Sequence, residues 1–214
     1  MKRRGKFITF EGGEGAGKTT LIARLAKALE DLGAAVLCTR APGSLGASQK
    51  IRELLLHRDA HEITPKAELF LFLADRALHV EKEIIPALEE GKVILCDRFN
   101  DSTIAYQGIA RGFGEGKIRK LIKMACGDIE PHLTFYLDID PLVGLKRASS
   151  AKKIDRIESE SVAFHQKIRQ AYLHLAELEK KRIVIIDATE SLDHVYAAVW
   201  NHLRKYLTDD KFFS

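Results

Sequence analysis

Short apolar runs alternate with longer amphipathic stretches along most of the chain. Runs of this kind are typical of strands that are buried on both faces of a parallel sheet. Between the runs, apolar residues recur at helical spacing, as at Leu21, Ile22, Leu25 and Leu29. The pattern predicts a doubly wound α/β domain in which helices flank about five parallel strands. The predicted strands cover residues 7–10, 34–39, 93–96, 133–137 and 183–186.

Capping residues mark the beginning of one helix. Thr64 can accept a hydrogen bond from the first turn, Pro65 suits the first helical position, and Glu68 lies near the positive end of the helix dipole. A helix is therefore predicted from Pro65 to about His79. We expect one domain over residues 1–207, and a polar tail, residues 208–214, that is loosely ordered.

Composition excludes several classes of protein. The formal net charge of +4 is too small to indicate a nucleic-acid partner by itself. The cysteines Cys38, Cys96 and Cys126 are too far apart for a zinc site, and we expect Cys38 and Cys96 to be buried, reduced thiols of a cytoplasmic protein. The beginning of the chain is unlike a signal peptide, and no apolar run approaches the ~20 residues of a membrane span.

A phosphate-binding loop follows the first predicted strand and opens the first predicted helix. Residues 12–19 match G-x-x-x-x-G-K-[ST], in which backbone N–H groups surround phosphate oxygens, the lysine reaches the β and γ phosphates and the hydroxyl binds Mg²⁺. The alternative, a glycine-rich turn without a ligand, does not explain this context. The sequence thus predicts an ATP and Mg²⁺ site on a P-loop NTPase-type fold, formed by Gly12, Gly13, Glu14, Gly15, Ala16, Gly17, Lys18, Thr19 and Thr20.

A second charged site ends the third predicted strand. Ligands of open α/β sheets bind at the carboxyl ends of the strands, so Asp97 should lie near the loop and share Mg²⁺ with Thr19. Arg98 beside it can bind a phosphate with two parallel hydrogen bonds. A surface ion pair at a strand end is the alternative.

Taken together, the motifs resemble the bacterial thymidylate kinase family over almost the whole chain. The resemblance implies transfer of the γ-phosphoryl group of ATP to thymidine monophosphate, and a homodimer packed through helices, with residues 69–78 as the candidate contact. The motifs that carry the resemblance are residues 11–20, Thr39-Arg40-Ala41-Pro42-Gly43, Asp97-Arg98-Phe99, Ser102, Ala105-Tyr106-Gln107-Gly108, Leu137-Asp138, Asp155-Arg156-Ile157-Glu158 and Ile186-Asp187-Ala188-Thr189.

The resemblance also implies roles for the residues that would bind the acceptor nucleotide. Phe72 and Arg76 are four residues apart and share a helix face, although an ordinary core stretch is the alternative for residues 69–73. The implied roles are Glu14 at the 3′-hydroxyl, Arg98 at the phosphate, Phe72 stacked on the thymine, Arg76 at its edge, Ser102, Thr103 and Gln107 near that edge, and Tyr106 below the sugar.

A basic stretch predicts a short mobile lid over about residues 146–158. Cations that close over phosphates stabilise the transition state and exclude water, whereas a solvated charged loop is the alternative. Family members without an arginine in the phosphate loop usually carry several in the lid, but this chain has Ser149-Ser150-Ala151 there. We therefore hypothesise that Arg156 or Lys153 is the catalytic lid cation. Ala41 and Ser44 also depart from the family pattern, beside the expected acceptor site.

Three other functions are compatible with parts of the sequence. The nearest is another nucleoside monophosphate or deoxynucleoside kinase on the same scaffold. A nucleotide-dependent switch is less well supported, because the chain has no Asn-Lys-x-Asp motif for guanine. A nucleic-acid module that uses the basic stretch is weaker still. A phosphotransferase that acts on a small molecule requires neither a nucleic-acid partner nor a membrane, and we expect neither.

Overall fold

The computed structural model describes residues 5–57, 62–151, 155–210 and 212. Within them the chain forms five strands, all paired in parallel, at the five places predicted from the apolar runs. The doubly wound α/β fold is thereby confirmed. The strands are β1 (Lys6–Gly12), β2 (Val36–Arg40), β3 (Val93–Asp97), β4 (Leu133–Asp138) and β5 (Ile183–Asp187).

Helices occupy most of the chain between the strands. The predicted cap is confirmed, since the Thr64 hydroxyl accepts a hydrogen bond from Ala67 N–H and the helix runs from Pro65 to His79. The described helices are α1 (Lys18–Asp31), α2 (Gly46–Leu56), α3 (Pro65–His79), α4 (Ile85–Glu89), α5 (Asn100–Thr103), α6 (Glu115–Cys126), α7 (Pro141–Ala151), α8 (Val162–Leu178) and α9 (Leu192–Asp209). Two π-helical segments, Val80–Ile84 and Ile104–Ala110, continue α3 and α5.

The strand order β2-β3-β1-β4-β5 decides which strands are buried on both faces. β1, β3 and β4 are central and almost fully buried, whereas β2 and β5 are edges with alternating exposure. The prediction that Cys38 is buried is therefore wrong, because the thiol lies on an edge strand and is exposed. Cys96 on central β3 is buried as predicted.

Two layers of helices cover the sheet. Ile8 and Phe10 of β1 pack with α1 and α9 on one face, and Phe7 packs with Val80 and Ile84 on the other. The expectation of a loose tail is wrong at Phe212, which is 4% exposed within the first of these clusters. Its N–H donates to the Leu207 carbonyl, so an apolar side chain beyond α9 closes the core. Among the described residues, no helix combines the length and apolar character that crossing a membrane requires.

Candidate active site

The phosphate loop connects β1 to α1 at the carboxyl edge of the sheet, as predicted. Lys18 Nζ lies within the loop and donates to the carbonyl oxygens of Gly12 (3.1 Å) and Gly13 (2.9 Å). Burial, reinforced by the nearby Arg98, lowers the pKa of Lys18 from its ordinary value. Two neighbouring cations, Lys18 and Arg98, favour the binding of an anion between them, and a phosphate site requires this.

Backbone atoms of the loop and of α7 approach each other closely. Gly15 has a φ of +68°, and a Cβ added there would lie 2.0 Å from the Gly144 carbonyl oxygen. In the reverse direction, a Cβ on Gly144 would lie 2.3 Å from the Glu14 carbonyl oxygen. Both distances are too short for any side chain, so two glycines allow the helix that leads into the predicted lid to rest directly on the phosphate loop.

Thr19 and Asp97 meet at the end of β3. The Thr19 hydroxyl donates to Asp97 Oδ2 at 2.9 Å. Among the described residues, no three His, Cys, Asp or Glu side chains are grouped to hold a metal. One hydroxyl and one carboxylate fit Mg²⁺, which takes oxygen ligands and commonly fills its remaining positions with substrate phosphates and water.

Arg98 lies across the loop from Lys18 in a conformation that is unfavourable for arginine. Its φ is +69°, and its N–H donates to the Phe10 carbonyl of β1. Its Nη2 donates to Glu14 Oε1 at 2.6 Å, so a loop carboxylate fixes the direction of the guanidinium. Strained residues that surrounding structure holds in place are concentrated at functional sites.

A buried carboxylate supports this turn from below. Glu11 Oε1 accepts from Phe99 N–H at 2.7 Å, and its Oε2 accepts from the Ser102 and Tyr172 hydroxyls at 2.6 and 2.8 Å. Burial and then Asp101 raise the pKa of Glu11. No role for Glu11 is predicted from the sequence, and nothing in the sequence connects it with Tyr172 on α8.

A cavity of about 800 Å³ extends from the phosphate loop to α3 and the second π-helical segment. Arg76 is 2% exposed and its Nη2 donates to the Phe99 carbonyl, yet its Nε and Nη1 have no partner among the described residues. The same is true of the Tyr106 hydroxyl, whose pKa is raised by burial. The predicted residues that line this cavity are Glu14 to Thr20, Phe72, Arg76, Asp97, Arg98, Ser102, Thr103, Tyr106 and Gln107.

The cavity also contains Arg52, which the sequence did not single out, and Arg147, which lies in the predicted lid. Arg52 Nη1 donates to the Pro42 carbonyl at 2.8 Å, and Arg147 donates to the carbonyls of Ala188 and Thr189 at 2.9 and 3.1 Å. Burial and then the neighbouring Arg40 lower the pKa of Arg52. Both departures from the family pattern, Ala41 and Ser44, line this part of the cavity as well.

The two hypothesised lid cations have different outcomes. Lys153 lies outside the described residues. Arg156 is bound to α2 and α3: its Nε donates to the Leu55 carbonyl at 2.9 Å and its Nη2 to Glu68 Oε2 at 2.6 Å. The physical reason is that Glu68 is a buried carboxylate, which is strongly unfavourable without a cationic partner.

Comparison with known proteins gives one consistent result. A family model described as thymidylate kinase matches residues 10–199. A thymidylate kinase from Protochlamydia amoebophila is 46% identical over 98% of this chain and 97% of its own, and one from Syntrophotalea carbinolica is 49% identical over 91% and 93%. The crystal structure of a thymidylate kinase from Ehrlichia chaffeensis superposes with a TM-score of 0.78 at 30% identity, covering 94% of this chain and 99% of that one.

The contact between the two glycines gives a testable prediction. A Gly144→Ala substitution places a methyl group against the Glu14 carbonyl, so α7 or the loop must shift. Because small displacements of reacting groups are costly, we expect kcat/KM for ATP to fall by about 100-fold in steady-state assays. The control is Gly116→Ala on α6, where a Cβ meets nothing within 4 Å. Equal kinetics for both variants would show that the contact does not matter.

Proposed function

Because this chain belongs to the thymidylate kinase family, we propose that it transfers the γ-phosphoryl group of ATP to thymidine monophosphate. The observation that carries the proposal is that one cavity joins the phosphate loop to Phe72 and Arg76 through Arg98. A donor phosphate at Lys18 and an acceptor base on α3 would therefore place the acceptor phosphate between them, beside Arg98.

The reaction is an in-line displacement at the γ phosphorus. An oxygen of the acceptor phosphate forms the new O–P bond while the bond to the oxygen bridging the β and γ phosphates breaks, and ADP leaves with that electron pair. No general base is required, because the acceptor oxygen is already ionised near neutral pH. The protein's contribution is position and charge: Lys18 and the loop N–H groups on the donor, and Arg98, with Arg52 near it, on the acceptor.

Thr19 and Asp97 are the residues that we propose to hold Mg²⁺ with ATP. Their hydroxyl and carboxylate already lie 2.9 Å apart at the loop. Bound there, the ion would neutralise phosphate charge as the transfer proceeds. The remaining lid cation is proposed to be Lys153, on sequence alone, since Arg156 is held by Glu68.

The base would lie between Phe72 and the groups around Arg76. A buried guanidinium is costly when two of its nitrogen atoms have no hydrogen-bond partner in the described part of the chain, and a carbonyl oxygen of a thymine edge would satisfy one of them. The half-buried Phe72 ring offers a stacking surface one helical turn away. Tyr106, whose hydroxyl also lacks a hydrogen-bond partner among the described residues, would contact the sugar.

We also propose a homodimer and a cytoplasmic location. Phe70 of α3 is 54% exposed and Leu54 of the adjacent α2 is 56% exposed, while Leu69 and Leu73 are already buried within the monomer. An apolar surface on two neighbouring helices suits a partner with the same surface. Cell fractionation, with the protein in the soluble interior fraction, tests the location.

The activity itself is tested with a panel of acceptors. We expect ADP release from ATP and Mg²⁺ to be fastest with thymidine monophosphate, slower with deoxyuridine monophosphate and slight with adenosine or cytidine monophosphate. The reason is that stacking and edge contacts at Phe72 and Arg76 depend on the base. Equal rates with every pyrimidine would indicate a broader nucleotide kinase, and slow hydrolysis that no acceptor stimulates would favour a nucleotide switch.

The metal site is tested with Asp97→Asn. Loss of the carboxylate should raise the Mg²⁺ concentration for half-maximal rate by at least about 10-fold, because a carboxylate is a far better ligand than an amide for this ion. Asp193→Asn, which affects only an exposed pair with Arg24, is the control. An unchanged Mg²⁺ dependence for Asp97→Asn would remove this residue from the metal site.

The dimer is tested with Phe70→Glu. A charge on the proposed contact surface should convert the protein to a monomer in sedimentation velocity at micromolar concentration, because burying an unpaired carboxylate is unfavourable. Leu178→Glu changes a side chain that is similarly exposed, on α8, and should leave the dimer intact. If wild type is already a monomer at this concentration, the proposed dimer is wrong.

A further inference from the structure

Glu68 is a buried acid on the same face of α3 as the proposed base contacts. It lies one turn before Phe72 and two turns before Arg76, and it is 1% exposed. Three side chains donate to it: Gln107 Nε2 to Oε1 at 3.0 Å, Arg111 Nη2 to Oε2 at 3.3 Å, and Arg156 Nη2 to Oε2 at 2.6 Å. The phosphate-transfer chemistry described above makes no use of this carboxylate.

The carboxylate stays ionised in the folded protein. Burial alone would raise the pKa of Glu68, but hydrogen bonds from Gln107 and Arg156 and the charge of Arg111 lower it below the ordinary value. An ionised carboxylate can accept hydrogen bonds but has no proton to donate. Glu68 can therefore be bonded only to the amino group of the Gln107 amide and never to its oxygen.

This constraint fixes which end of Gln107 is available to a ligand. Gln107 is 2% exposed and lines the cavity, and one N–H of its Nε2 donates to Glu68. With the amino group of the amide turned to Glu68, the opposite end of the amide is Oε1, which is an acceptor only. Thymine and uracil present a donor at N3–H, whereas N3 of cytosine is itself an acceptor and would face Oε1 without a hydrogen atom between them.

We propose that Glu68 is a positioning residue for base specificity: it holds Gln107 with Oε1 toward the acceptor base, and so favours pyrimidines with an N3–H over cytosine. The inference rests on the proposed function, since it assumes a nucleotide base beside α3. Glu68 does not touch the base, and acts through the orientation of one amide.

The substitution Glu68→Gln separates this role from a structural one. The two arginines still require an acceptor, so the new amide turns its oxygen to Arg111 and Arg156 and its amino group to Gln107. Gln107 then accepts from that amino group and presents its own amino group to the base. We expect kcat/KM for deoxycytidine monophosphate relative to thymidine monophosphate to rise by about 10- to 100-fold, the range for one mispaired buried hydrogen bond.

Two control variants test whether the carboxylate itself is responsible. One keeps the negative charge at position 68, and the other removes a positive charge that contacts it. Glu68→Asp retains an ionised carboxylate and should keep the wild-type ratio. Arg111→Gln removes one cationic partner of Glu68 and leaves the contact with Gln107, so it should lower the melting temperature without changing the ratio. A Glu68→Gln variant that loses activity equally on both nucleotides, or loses only stability, would overturn the proposal.

Two further outcomes complete the test. If Glu68→Gln does not fold, Gln107→Leu removes the acceptor directly. The ratio of kcat/KM for deoxycytidine monophosphate to that for thymidine monophosphate must then rise, because turnover with thymidine monophosphate is lost, and an unchanged ratio overturns the proposal.

If wild type itself shows no turnover with thymidine monophosphate, the proposed function fails first. Turnover in wild type with an unaltered ratio in Glu68→Gln contradicts only the role of Glu68.

Discussion

The parallel pairing of β1 with β3 is the constraint on which the rest of the site depends. Phe10 is paired with Asp97, and the N–H of Arg98 donates to the Phe10 carbonyl. Two segments more than 80 residues apart in sequence thus end side by side, one leading into the phosphate loop and the other into the acceptor side. A shift of one residue in this register would exchange the faces of β3 and separate Thr19 from Asp97.

Carboxylates then position the cations. The partly buried Glu14 directs Arg98, the buried Glu11 supports the turn that carries Arg98, and the buried Glu68 binds Arg111 and Arg156. A buried acid without a partner is strongly unfavourable, so Glu68 restricts where its two arginines can lie. The guanidinium beside the phosphate loop is in this way oriented before any nucleotide arrives, which is the condition under which fixed charges are most effective in catalysis.

The features that could be predicted from the sequence are those that residues close together in the chain determine. Apolar runs gave the five strands, and Thr64 with Pro65 gave a helix boundary, because these signals act over a few residues. Contacts between distant segments were not predictable: helical periodicity buries Tyr172 but does not name Glu11 as its partner. An apolar run likewise does not distinguish an edge strand from a central one, and so Cys38 was placed wrongly.

The backbone of Arg98 has a consequence for anyone who redesigns this protein. Among the described residues it is the one non-glycine residue with a positive φ, a conformation that costs about 1–3 kcal/mol and that glycine adopts freely. A procedure that ranks substitutions by backbone strain alone would favour glycine at this position and would delete the guanidinium beside the phosphate loop, together with its bond to Glu14. Thermostabilisation must therefore hold this residue fixed, whatever its backbone conformation costs.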